Sequence, residues 1–160
     1  MRILAAASFF VICAGPITAH EPFPWHGSEI QVLLEKGETD GEMGMFTSRF
    51  QEPGGPPLHI HEDAAEAFYL LDGSAELVSG DQRFELQAGQ VAFVPKGVEH
   101  TFHMKEDEGG KILVIVTPGG FEGFFAATRQ LNMPTDMDKM NAISAEFGQI
   151  FIGPPLAGDK

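Results

Sequence analysis

Between residues 28 and 118 the chain alternates short apolar runs with turn-forming residues, and this rhythm limits what it can fold into. Candidate strands run over 30–34, 43–50, 58–61, 67–71, 76–79, 83–86, 91–94, 101–104 and 111–117. Between them lie Gly41, Pro53-Gly54-Gly55-Pro56-Pro57, Asp72-Gly73, Gly80-Asp81, Ala88-Gly89 and Pro95-Lys96-Gly97. Asp-Gly and Gly-Asp between apolar runs predict tight hairpins, because two-residue turns need positive φ. Many short strands so spaced predict an all-β fold, a small antiparallel barrel or sandwich. After Pro118-Gly119-Gly120 the period changes. Phe121, Phe124, Phe125 and Thr128 share one helical face, predicting a helix over 121–131. Pro134-Thr135-Asp136 opens a second helix over 137–147, with Met140, Ile143 and Phe147 as its apolar stripe, ended by Gly148.

The first residues are set apart from this domain. Met1-Arg2 precedes an apolar run over 3–17, broken by Gly15-Pro16 and followed by Thr18-Ala19. The run is shorter than the about 20 residues of a membrane span, and its flanks fit a secretory signal peptide over 1–19. The expectation is one domain over 20–160, with a barrel core over 28–118 and two helices within 120–148. The protein is then periplasmic or secreted. Cys13 is the only cysteine, and Ile12 before it does not fit a lipidation site. The exported chain has no disulfide to support its core. The formal charge of −13 becomes −14 once the signal takes Arg2 with it. So acidic a protein is a poor nucleic-acid binder and, after signal cleavage, a poor partner for anionic membranes.

Three histidines and a glutamate form the candidate site. His59 and His61 are two apart on a predicted strand, so both project to one face. Glu66 sits where a turn rejoins the next strand, and His100 follows Pro95-Lys96-Gly97. Taken singly, each has an ordinary reading: a surface or core histidine pair, one carboxylate of an acidic stretch with Glu62 and Asp63, and a lone histidine. Together, three imidazoles and a carboxylate from separate pieces of one barrel wall suit a divalent transition metal (Fe, Mn, Ni, Co, Cu or Zn) and leave coordination positions free.

The two blocks resemble the paired motifs of the cupin superfamily, whose fold is a small double-stranded β-helix, or jelly-roll barrel. His59, His61, Glu66 and Gly73 match the first motif; Gly89, Pro95, Gly97 and His100 match the second. Pro53 replaces the first motif's leading glycine, and Met104 stands where the second motif ends in Asn. Met104 should face inward with His100 and Phe102, as a pocket wall more readily than as a thioether beside the metal. The segments 55–61, 67–73 and 117–125 are similar to the quercetin-dioxygenase-like group of single-barrel cupins. That resemblance implies metal ligation by His59, His61, Glu66 and His100. It also implies that Glu66 is the catalytic residue, accepting a substrate hydroxyl proton.

With fourteen phenylalanines in the chain, the substrate pocket should be aromatic. Phe46, Phe50, Phe68, Phe93 and Phe102 are its barrel candidates, and Phe121, Phe124 and Phe125 would close its mouth. The same residues would equally fill an ordinary core. The leading function is a metal-dependent dioxygenase acting on a flavonol or another enolic or aromatic small molecule. The alternatives are a barrel that binds or senses a small molecule without turnover, and a metal-cupin isomerase or decarboxylase. A carboxylate substrate would need Arg49 or Arg83 in the pocket. His103 should face away from the site, and His20 and His26 have no assigned partner. Exposed strand edges in a single barrel predict a homodimer.

Overall fold

The computed structural model describes residues 19–105, 107 and 109–157. The signal peptide expected over 1–19 lies, except for Ala19, outside the described residues. The described chain forms two antiparallel sheets that face each other across an apolar interior. In the first, the strand order is β1 (Phe23–Trp25), β2 (Ser28–Leu34), β3 (Gly44–Phe50), β10 (Gly110–Thr117), β5 (Ala65–Asp72) and β8 (Val91–Val94). In the second it is β11 (Gln149–Pro155), β4 (Pro57–His61), β9 (His100–Met104), β6 (Ser74–Ser79) and β7 (Gln82–Gln87). Two helices, α1 (Gly123–Thr128) and α2 (Met137–Glu146), lie between β10 and β11 in the chain.

The pleat decides which side chains enter the core. Along β10, Ile112, Val114 and Val116 are buried and alternate with less buried Lys111, Leu113 and Ile115. Phe46, Phe68, Leu70, Leu77 and Phe102 reach the same interior from the surrounding strands. The Gly80-Asp81 turn is the expected hairpin, joining β6 and β7 in register from Ser79 opposite Gln82. Asp72-Gly73 is not: β5 and β6 belong to different sheets, so this turn carries the chain around the barrel's corner. Local turn chemistry sets the reversal, and the sheet partner is chosen by long-range packing.

Three departures from the sequence reading bear on the site. Strands β1 and β11 lie outside the expected 28–118 barrel. β11 was hidden by Gly153-Pro154-Pro155, residues tolerated there because β11 is a sheet edge. The first helix covers only 123–128, not 121–131. Before it, the buried Glu122 carboxylate accepts the backbone N–H groups of Lys36 and Gly120, both at 2.7 Å, which holds that backbone in a loop. Phe93 is not a pocket residue. β8 buries Ala92 and Val94, so Phe93 points outward and is 62% exposed.

Gly55, just before β4, lies against the backbone of β9: a Cβ there would collide with the Phe102 carbonyl. Gly55→Ala should therefore lower stability by about 1–3 kcal/mol, read as a lower urea midpoint. An unchanged midpoint would contradict this packing.

Candidate metal centre

Strand β4 presents His59 and His61 on its inward face, and His59 pairs across the ladder with His100, the first residue of β9. Glu66 comes from the opposite sheet, as the second residue of β5. The loop before His100 is tied to β4 by a 2.7 Å bond from Gly97 N–H to the His61 carbonyl. That turn uses φ = 74° at Gly97, a conformation suited to glycine. The result brings four donor atoms within 4.8 Å of one another. All four residues are 2–4% exposed.

The outer contacts of the rings fix what they offer inward. His59 Nδ1 donates to the Pro57 carbonyl at 2.7 Å, and His100 Nδ1 donates to the Val98 carbonyl at 2.8 Å. Each ring therefore turns Nε2 toward the centre, as the outer hydrogen bonds of ligating histidines do. Glu66 Oε2 lies 2.7 Å from His100 Nε2 and 3.4 Å from His61 Nε2. His61 has no hydrogen-bond partner on either ring nitrogen, though both are buried. Leaving such atoms unsatisfied costs about 1–3 kcal/mol each. A cation facing Nε2 resolves this for one of them, so the set fits a divalent metal.

The electrostatics agree. Burial, helped by His100, pushes His59 down to about 3 and keeps it neutral. Burial lowers His61 as well, against the pull of Glu66. For Glu66, burial works upward, but the electrostatic pull of the neighbouring His61 and the His100 hydrogen bond outweigh it and hold the carboxyl at about 2. Burial opposes protonation of His100 too, yet its bond to Glu66 raises it above 6.5. The His100–Glu66 contact thus shares a proton between two of the residues that would hold a metal.

The donor set opens through His59 and Glu66 onto a cavity of about 600 Å³. Phe46, Phe50, Phe68, Phe102 and Phe124 line it, with Phe121, Phe125 and Trp25. Among the described residues no lysine or arginine lines it. Arg83 is paired with Glu76 at 2.7 Å, and Arg49 lies 4.0 Å from Asp72. Met104 does not line the cavity, which corrects its expected role. It points inward, but four residues of strand, about 13 Å, separate it from His100. It is fully buried beside Gly110, where a Cβ would meet its sulfur at 3.3 Å. His103 is half-buried opposite Glu76 in the ladder, outside the site, and exposed His20 lies 3.7 Å from Glu35.

His26 and Gln149 line the cavity and were not singled out as pocket residues from the sequence. His26 sits with Gly27 in a positive-φ turn (40° and 89°) between β1 and β2. A His-Gly dipeptide is a recognisable turn signal. Nothing local in the sequence places Gln149 beside β4.

A match to the cupin domain family covers residues 46–116, the span from β3 to β10 that contains all four donors. Residues 46–116 are thus identified as a cupin domain, and the two sheets form the cupin barrel. It is similar to quercetin 2,3-dioxygenase of Bacillus subtilis, 29% identical over 80 residues, which is 49% of this chain and 24% of that protein. It is similar as well to quercetin 2,3-dioxygenase of Aspergillus japonicus, 36% identical over 72 residues, 42% of this chain and 20% of that one. The chain thus spans a quarter or less of these relatives. An RmlC-like cupin from Shewanella frigidimarina shares the fold at TM-score 0.54 and 19% identity, over 71% of this chain and 93% of that one.

Metal uptake must displace the proton on His100, whose raised pKa makes it the strongest proton competitor. Below that pKa the apparent zinc affinity should fall about tenfold per pH unit, measured against a competing chelator at pH 8, 7 and 6. His61→Ala should lower affinity at every pH by at least about tenfold. A pH-independent affinity, or an unaffected His61→Ala protein, would contradict the assignment.

Proposed function

We propose that the protein is a metal-dependent dioxygenase of the quercetinase-like kind, acting on a flavonol or a similar planar enolic or aromatic molecule. One observation carries this reading: the buried donor set opens into an aromatic cavity with no lysine or arginine on its wall among the described residues. A volume of about 600 Å³ falls within the range of small-molecule sites, roughly 300–1,000 Å³. Without arginine or lysine, that wall favours a neutral ring over an oxo-acid, which argues against an isomerase or decarboxylase of carboxylate substrates.

A divalent metal held by His59, His61, Glu66 and His100 would supply Lewis acidity toward a substrate hydroxyl and, if redox-active, a centre for oxygen chemistry. The chain's own residues do the rest. Phe68 and Phe102 lie 5.9 Å apart, centroid to centroid, and with Phe46 and Phe121 offer ring faces and edges to a planar substrate. The same apolar wall keeps water away from the reacting atoms. Glu66, whose Oε2 lies against the imidazoles, also lines the cavity and takes the hydroxyl proton. Held at about 2, it is a weak base, so it serves only a hydroxyl already made strongly acidic.

Export and a single folded unit after residue 19 are part of this proposal, as is a homodimer. Edge strand β8 supports the dimer, with Val91 64% and Phe93 62% exposed beside Tyr69 and Leu71. Phe93→Glu should then shift the mass in light scattering from dimer to monomer, and an unchanged mass would place any interface elsewhere.

Oxygen uptake by protein loaded separately with iron, manganese, nickel, cobalt or copper, with a panel of flavonols, tests the activity. The reading predicts uptake with at least one metal. It also predicts a loss of about 10²–10⁴-fold in Glu66→Gln that keeps its metal. Tight flavonol binding without uptake for any metal would favour a capture or sensing role, and full turnover by Glu66→Gln would remove the glutamate's part.

A further inference from the structure

Gln149 opens β11 and stands opposite His61 in the ladder with β4. Directly opposed residues on neighbouring strands project to the same face. Its side chain therefore enters the barrel beside the ligand wall, where it is 3% exposed and borders the cavity. Ser144 of α2, fully buried, shares its hydroxyl proton between two acceptors of this one residue. They are the Gln149 backbone carbonyl at 2.9 Å and Oε1 at 2.8 Å. The second contact draws the amide oxygen toward α2, and the first ties the same hydroxyl to the backbone of β11. The Nε2 amino group has no hydrogen-bond partner among the described residues and is left to the cavity.

Gln149 lines the cavity and its Nε2 has no protein partner among the described residues, so its donors are free for an acceptor bound there. Phenylalanine and methionine side chains, which dominate the wall, are poor acceptors. The strands carrying Gln149 and His61 are neighbours, with backbones about 5 Å apart. An acceptor bound there lies next to the metal-ligating wall. Both Ser144 and Gln149 fall outside the 46–116 cupin match, so the arrangement belongs to this chain's C-terminal segment.

We propose that Gln149 is a substrate-positioning residue whose Nε2 donates a hydrogen bond to a carbonyl oxygen of the bound ring, with Ser144 fixing the amide's direction. The proposal rests on the reading of the cavity as a site for a neutral planar substrate. It narrows that class to ring hydroxy-ketones, with the hydroxyl toward Glu66 and the carbonyl toward Gln149.

Equilibrium binding to zinc-loaded protein tests this apart from turnover, since zinc has no redox chemistry. The probes are 3-hydroxyflavone, which has a hydroxyl and a carbonyl, and 2-naphthol, a planar phenol with no carbonyl. Gln149→Met keeps length and removes the amide. It should weaken 3-hydroxyflavone about tenfold and 2-naphthol less than about twofold. Gln149→Glu, which sets an acceptor against an acceptor, should weaken 3-hydroxyflavone further than Met does. Ser144→Ala should cost about threefold, again on 3-hydroxyflavone alone.

Equal losses on both probes, or no loss on either, would overturn the positioning role. So would a Gln149→Glu protein that binds like wild type. If the Gln149 variants fail to fold, as seen in lost zinc stoichiometry, the probe selectivity of Ser144→Ala decides alone. Wild-type protein that binds neither probe overturns the role whatever the oxygen measurement gives. Selective Gln149 dependence without oxygen uptake overturns the oxygenase reading and leaves the positioning role standing.

Discussion

The Glu66 carboxylate sits 2% exposed in the barrel interior, and the structure around it is arranged to keep its charge there. An unpaired carboxylate in such a place costs several kcal/mol and would shed its charge by taking up a proton. Here the opposite holds, because His100 approaches Glu66 to 2.7 Å and His61 to 3.4 Å, while burial keeps His59 neutral. Only one of those rings needs a proton to balance Glu66. A divalent cation would balance the same charge with every imidazole neutral, and it would give His61 Nε2 the partner it lacks.

That electrostatic requirement explains why the donors come from both sheets. His59, His61 and His100 lie on paired strands of one sheet, and Glu66 comes from the facing one. Their contact depends on the two sheets closing together, so the buried contacts of Leu70, Leu77, Ile112 and Val114 position the site as much as its own hydrogen bonds do. The Gly97 N–H bond to the His61 carbonyl and the Gly55 approach to Phe102 couple the strand ends locally. Helix α2 and strand β11 add to the cavity wall, with Met140 and Asn141 from α2 and Phe151 from β11.

The four donors were legible in the sequence because their spacing is set by chain geometry. An i, i+2 pair shares a strand face, and a Pro-x-Gly turn aims the next residue. The aromatic lining was legible for Phe46, Phe50, Phe68, Phe102 and Phe124, which lie on elements whose period could be read. It failed where an offset along a strand or a change of face decided the outcome. Met104 shares His100's face yet lies too far along β9, and Phe93 sits on the outward half of a four-residue strand. β11 and Gln149 were illegible for a different reason. A Gly-Pro-Pro segment carries no strand period, and its pairing with β4 joins residues about ninety positions apart, a relation set by tertiary packing rather than local preference.

The central claim is that His59, His61, Glu66 and His100 hold one divalent metal at the inner end of the cavity. X-ray absorption spectroscopy of the protein carrying one equivalent of zinc tests this most directly. The account predicts outer-shell scattering from three imidazoles, with first-shell distances of about 2.0–2.2 Å to nitrogen and oxygen donors, and loss of one imidazole in His100→Ala. A shell of oxygen donors without imidazole scattering, or one unchanged by His100→Ala, would contradict it.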